Sequence, residues 1–230
     1  MRDPVQPLLG ILMLDTRFPR IIGDVGNPDT WPFPVRYGVV AGATPQAIVC
    51  ADMTPFVEAF ISQGHALVRE GCIGIATTCG FLSLMRPQLA TALGVPVAAS
   101  ALEQAGQIIP MLAHGKRLGV LTISAESLSD AHLAAAGVPL ETPVAGMEGS
   151  SLAASILGNK PTLDVRAART EMIRAAEKLI SLHDDIGALI LECTNMVPYA
   201  ADVARATGIP VFSIYTYLRW FHAGLAPRQF

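Results

Sequence analysis

The 230-residue chain carries 51% hydrophobic and 15% charged residues, with a formal net charge of −3. That balance excludes a disordered chain. It also leaves no basic field for nucleic acid and no polybasic run for an anionic membrane, so the expected partner is a small molecule.

Leu8–Leu14 (LLGILML) opens the chain's pattern as a short apolar run, far below the roughly 20 residues of a bilayer span. It lacks the basic start and small-residue cleavage site of a signal peptide, and Asp15 follows it. A cytoplasmic protein is expected. Val35–Val40 is the next strand. The glycine- and proline-rich stretch 23–40 (GDVGNPDTWPFPVRYGVV) reads as an ordered functional loop that brings Thr30, Trp31 or Arg36 toward a substrate. Thr54–Glu70 is a helix with Thr54 as N-cap and Pro55 at its first position. Cys72–Thr77 is a strand. Phe81–Leu93 is a helix stopped by Gly94. Strands follow at Val95–Ala98 and Arg117–Thr122. A helix at Asp164–Leu182 carries Val165, Ala168, Met172, Ala176 and Leu179 on one side. Strands at Ala188–Glu192 and Pro210–Ile214 end the series. Tyr215, Tyr217, Trp220 and Phe221, at helical spacing, form a packing face or a dimer seam.

Most of these strands are short, rich in Ile, Val and Leu, and not alternating, as strands buried on both faces of a parallel sheet are. Strand–helix–strand order repeated in this way is an α/β fold with right-handed crossovers. Ligands in such sheets sit beyond the carboxyl ends of the strands. The residues there are Asp15-Thr16, Thr77-Thr78-Cys79-Gly80, Thr122-Ile123-Ser124 and Glu192-Cys193-Thr194-Asn195.

Two of those ends match in form. IGIATTCGFL and ALILECTNMV both run from an apolar strand through a polar residue and a cysteine into a helix. LGVPVAAS (93–100) and TGIPVFSI (207–214) form a second matched pair. The chain therefore reads as two similar lobes, each offering one cysteine to a shared cleft. The division is 1–100 plus 209–230 for the first lobe and 101–208 for the second. The other two cysteines, Cys50 and Cys72, read as core residues. His114, His132 and His183 read as surface, and His222 as packed among aromatics. No CxxC, HxH or HExxH spacing supports a metal site or a disulfide scaffold.

A thiol at a helix amino end meets free N–H groups and the helix dipole, which lower its pKa from about 8.5 toward neutrality. Two such thiols facing one carbon form an acid/base pair, one removing a proton and the other delivering one to the opposite face. The carbanion requires donors aimed at an adjoining carboxylate. Thr78, the Gly80 N–H, Thr194 and Asn195 are the candidates. Thr122 and Ser124 are candidate cleft residues, Phe81 makes the rim apolar, and Asp15 lies at the end of the first strand. Glu192 reads as structural. GxGxxG after a strand, GxxxxGK[ST] and GxSxG are absent, and none of Lys116, Lys160 and Lys178 is placed for a Schiff base. No cofactor is expected.

With TTCGFLS (77–83), LECTNMVPYA (191–200), GILMLDT (10–16) and RLGVLTIS (117–124), the chain resembles the aspartate/glutamate racemase superfamily over nearly its whole length. The resemblance implies a two-lobed α/β enzyme without cofactor, with Cys79 and Cys193 as opposed catalytic thiols and Asp15 as the acid that orients or tunes Cys79. Gly80-Phe81 stand where amino-acid racemases of this kind carry Asn-Thr, and Thr194-Asn195 where they carry Thr-His or Thr-Glu. The expected activity is racemisation or epimerisation of a small carboxylate such as an amino acid or derivative. A maleate-isomerase-like isomerase, a related decarboxylase and a non-catalytic small-ligand binder remain open, and the high apolar content fits a homodimer.

Overall fold

A computed structural model describes residues 8–227. Eight strands form two sheets. The first contains β1 (Leu8–Leu14), β2 (Val35–Val40), β3 (Cys72–Thr77) and β4 (Val97–Ala98) in the order β2-β1-β3-β4. The second contains β5 (Arg117–Thr122), β6 (Val144–Gly146), β7 (Ile186–Leu191) and β8 (Val211–Ser213) in the order β6-β5-β7-β8. Every pairing is parallel. The two sheets thus repeat one topology. Each has a register irregularity at the start of its central pair, at Leu8/Leu9 and at Arg117/Leu118. This is the α/β architecture that the apolar, non-alternating strands imply. Leu9, Ile11, Leu12, Val120, Leu121, Leu189 and Ile190 are all fully buried, as a sheet covered on both faces requires.

The cysteine-bearing connections repeat as well. Each strand end leads into a 3₁₀ turn, Gly80–Leu84 or Thr194–Tyr199, and then into a helix, Arg86–Leu93 or Ala200–Thr207. Gly94 (φ 65°) and Gly208 (φ 72°) end those helices in the left-handed region, where a glycine has no Cβ to strain. Each then admits the short strand that the matched Gly-x-Pro segments predict.

Four points of the sequence reading need correction. The segment 209–230, placed with the first lobe, is divided: β8 hydrogen-bonds to β7 in the second sheet. The helix Ile214–Leu225 then returns to the first lobe, where Phe221 and Leu225 pack against Gly74 of β3. Residues 1–7 and 228–230 of that division lie outside the described residues. β6 was not foreseen, because three residues ending in glycine carry no readable period. Cys50 is exposed rather than core, while Cys72 is buried as expected. His132, read as surface, is buried against Phe81 with ring centroids 5.1 Å apart. Among the described residues no helix is long and apolar enough to cross a membrane.

The lobes are tied together by polar contacts beside the cysteines. Thr194 Oγ1 donates to the Thr78 carbonyl at 2.7 Å. Asn159 accepts from the Arg17 N–H at 2.6 Å and donates to the Asp15 carbonyl.

Candidate active site

The carboxyl ends of β3 and β7 bring Cys79 and Cys193 to one small cavity of about 20 Å³, just enough for a water. Its walls include both thiols, Thr78, Gly80, Phe81, Glu192, Thr194 and Asn195. Apolar side chains complete it, among them Leu14, Phe18, Val49, Ile123 and Ile156. A second cavity of about 520 Å³ adjoins it across Val49 and Phe81's neighbours Leu84 and Met85.

The thiols are not poised as the helix-end argument implies. Each is only 7% exposed. Burial pushes the Cys79 thiol up to about 12, and the carboxyl of Glu192 adds to the rise. The N–H groups of Phe81 and Leu82 and the nearby Arg20 pull the other way without prevailing. Burial, then Glu192, also raises Cys193 well above its ordinary value. A short 3₁₀ turn in a dry site offers too little positive potential to offset desolvation.

The two thiols differ in their hydrogen bonding. Two backbone N–H groups face Cys79, and one, that of Asn195, faces Cys193. Cys193 donates from Sγ to Asn195 Oδ1 at 3.5 Å, which favours its protonated form. Asn195 is held in turn by Asp24, whose Oδ2 accepts from Asn195 Nδ2 at 2.6 Å. Asp24 Oδ1 accepts from Arg20 Nη1 at 2.8 Å and from the Gly26 N–H at 2.7 Å. Arg20 Nη2 donates to Thr16 Oγ1, and its guanidinium lies 4.5 Å over the Phe18 ring. A chain of polar contacts thus runs from Arg20 through Asp24 and Asn195 to Cys193.

Arg20 and Asp24 are the site residues that the sequence reading missed. The loop 23–40 does reach the site, but through Asp24. Thr30 instead bonds to the Gly23 N–H and the Asp24 carbonyl. Trp31 donates to the Val25 carbonyl, and Arg36 pairs with Glu70 at the surface. The signal that could have found the pair was Arg20 and Asp24 at four-residue spacing just past the first strand's carboxyl end.

Other expected residues take different positions. Asp15 does not orient Cys79; its Oδ2 accepts from the Gly42 N–H at 3.0 Å and fixes the turn after β2. Thr122 stands behind the cavity, donating to Glu192 Oε2 at 2.7 Å. Ser124 bonds to Ser127 and shapes its own loop. Thr194 lines the cavity, but its proton is committed to the Thr78 carbonyl. Thr78 Oγ1 accepts from the Leu14 N–H, which leaves its proton able to face a ligand. Glu192, read as structural, is fully buried in the cavity wall with Oε1 unpartnered.

The chain shares its fold with solved structures of racemase and decarboxylase type. It matches arylmalonate decarboxylase (14% identity, 96% of this chain and 93% of that one, TM-score 0.63). It also matches allantoin racemase from Pseudomonas fluorescens (15%, 95% and 90%, TM-score 0.61) and glutamate racemase from Bacillus anthracis (15%, 97% and 85%, TM-score 0.60). In sequence the chain is similar to a dimethylsulfoniopropionate lyase of Durusdinium sp. clade D, 26% identical over 224 residues, spanning 94% of this chain and 74% of the relative. It is similar as well to dimethylsulfoniopropionate lyase 7 of Emiliania huxleyi, 28% identical over 236 residues, spanning 95% and 67%. No family model matches the chain.

Proposed function

We propose that this protein is a cofactor-independent lyase that removes the proton α to the carboxylate of a small sulfonium acid of the dimethylsulfoniopropionate class, with Cys79 as the base. The observation that carries the reading is the asymmetry of the two thiols. Cys79 faces two backbone N–H donors and has no side-chain acceptor, whereas Cys193 faces one and gives its own proton to Asn195 Oδ1. A racemase must exchange the roles of its two thiols with direction; an elimination needs one base. The lyase names of the sequence relatives support the same class.

In the step itself the Cys79 thiolate takes the α-proton. The C–H electron pair becomes the Cα=Cβ bond, and the Cβ–S bond breaks with its electrons on sulfur. Dimethyl sulfide leaves, acrylate remains, and the Cys79 proton returns to solvent. Arg20, the cation in the wall, pairs with the carboxylate, and the Thr78 hydroxyl donates to the oxygen that gains charge. The apolar walls suit S-methyl groups. Glu192 is the sole acid among the described lining residues, and it is already held by Thr122, so an α-ammonium group lacks a dedicated partner. Gly80-Phe81 in place of Asn-Thr fits the same preference.

The test is incubation with dimethylsulfoniopropionate in D₂O, with aspartate, glutamate and hydantoins alongside. The expected result is dimethyl sulfide and acrylate in equal amounts, abolished by Cys79→Ser and reduced but measurable in Cys193→Ser. A second reading, racemisation, is favoured by both thiols lining one cavity. Deuterium at the α-carbon of an amino acid, without sulfide release, selects it. Neither outcome on any of these compounds defeats both.

A further inference from the structure

Glu192 is the most deeply buried acid of the cleft, and the proposed step does not use it. It is 0% exposed, lies in the same cavity wall as both thiols and directly precedes Cys193. Thr122 Oγ1 donates to its Oε2, while Oε1 has no hydrogen-bond partner. The carboxyl lies against Gly80 of the other lobe, where a Cβ would stand 2.9 Å from its Cδ. A carboxylate with one hydrogen bond in a dry site costs far more than a carboxylic acid that accepts at Oε2 and carries its proton on Oε1. The charged and titratable groups facing this region are Cys79, Cys193, Arg20 and Asp24, and Arg20 is already paired with Asp24. Arg20 is the one cation among them, and Asp24 and, in the proposed step, the substrate carboxylate already draw on its charge.

We propose that Glu192 is a positioning residue that sets a charge limit on the cleft: it holds a proton at Oε1 whenever Cys79 becomes a thiolate, and its ionisation turns the thiol off. Burial raises this carboxyl to about 7, which brings the switch into the neutral range. The consequence for turnover rests on Cys79 being the base, but the charge limit itself is measurable without substrate.

The experiment is iodoacetamide labelling of Cys79 as a function of pH in wild type and Glu192→Gln, read site by site by mass spectrometry, with the exposed Cys50 as internal reference. A lone thiol below its pKa labels about tenfold faster per pH unit. Wild-type Cys79 is expected to flatten between about pH 6 and 8, because ionised Glu192 opposes the thiolate. Glu192→Gln is expected to rise steadily and to exceed wild type about tenfold at about pH 8.5, with equal rates near pH 6. The infrared carboxylic-acid band of the wild type is expected to fade over the same range. A steady tenfold rise in wild type overturns the proposal. So does an acceleration in Glu192→Gln of equal size at both pH values, which looser packing alone produces. If the variant does not fold, the wild-type labelling slope and infrared band decide. A failure of all substrate assays removes the lyase reading and leaves this result standing.

Discussion

Gly80 and Glu192, one from each lobe, share a space that only a glycine at residue 80 leaves open. A Cβ at Gly80 would lie 2.8 Å from the Glu192 carbonyl oxygen and 2.9 Å from its Cδ. The departure from the Asn-Thr of amino-acid racemases is thus steric as well as chemical: the carboxyl of the second lobe fills the place of a side chain in the first. Gly80→Ala is expected to destabilise the fold by about 1–3 kcal/mol and to lower activity. Adding Glu192→Ala is expected to restore part of the melting temperature, with a coupling energy of roughly 0.5–3 kcal/mol in a double-mutant cycle. Simple additivity would contradict the shared space.

Stability should follow the titration of Glu192. Its carboxyl is raised from the ordinary 4.5 to about 7 in the folded chain, so between those values the native state holds a proton that the unfolded chain has lost. This group's contribution is therefore most favourable below about pH 4.5 and is lost as pH rises through about 7. The difference in melting temperature, Glu192→Gln minus wild type, is expected to grow from pH 5 to pH 8.5. A difference independent of pH would refute the assignment.

Asp24 is the hub of the polar chain behind Cys193. Asp24→Ala strips the partners of Arg20, Asn195 and the Gly26 N–H at once. Breaking a buried ion pair from one side costs about 3–5 kcal/mol, which urea denaturation will measure. A loss below about 1 kcal/mol, the range of an exposed pair, would mean that the contacts are not maintained in solution.

Arg20→Gln keeps a polar side chain but removes the positive charge from the cleft. If Arg20 pairs with a substrate carboxylate, kcat/KM is expected to fall by roughly 30-fold, about 2 kcal/mol, mainly through KM. A change confined to kcat would assign it to the chemical step instead.

Asp15 provides the opposite control. Because it fixes the Gly42 turn, Asp15→Asn is expected to leave kcat within about twofold and to cost about 0.5–1.5 kcal/mol in stability. A large loss of kcat at unchanged stability would return Asp15 to the thiol chemistry.

The legible parts of this protein are those written locally. Strands β1, β2, β3 and β5 fall within the bounds their apolar runs imply, and Asp164 caps its helix by accepting from the Arg166 and Ala167 N–H groups. The two matched strand ends bring Cys79 and Cys193 to one cavity because a repeated strand–turn–helix places its strand end at the same point of each sheet.

The chain by itself determined the α/β class, the doubled topology and the meeting of two cysteines, since each follows from periodicity over a few neighbouring residues. Only the tertiary structure decided the chemistry around them. Asp24 and Asn195 meet across 171 residues, and Thr122 and Glu192 across 70. The helix-end potential that favours a thiolate is a local property. The exclusion of water that overrides it, and the buried carboxyl that adds to the effect, arise only when the lobes close on each other.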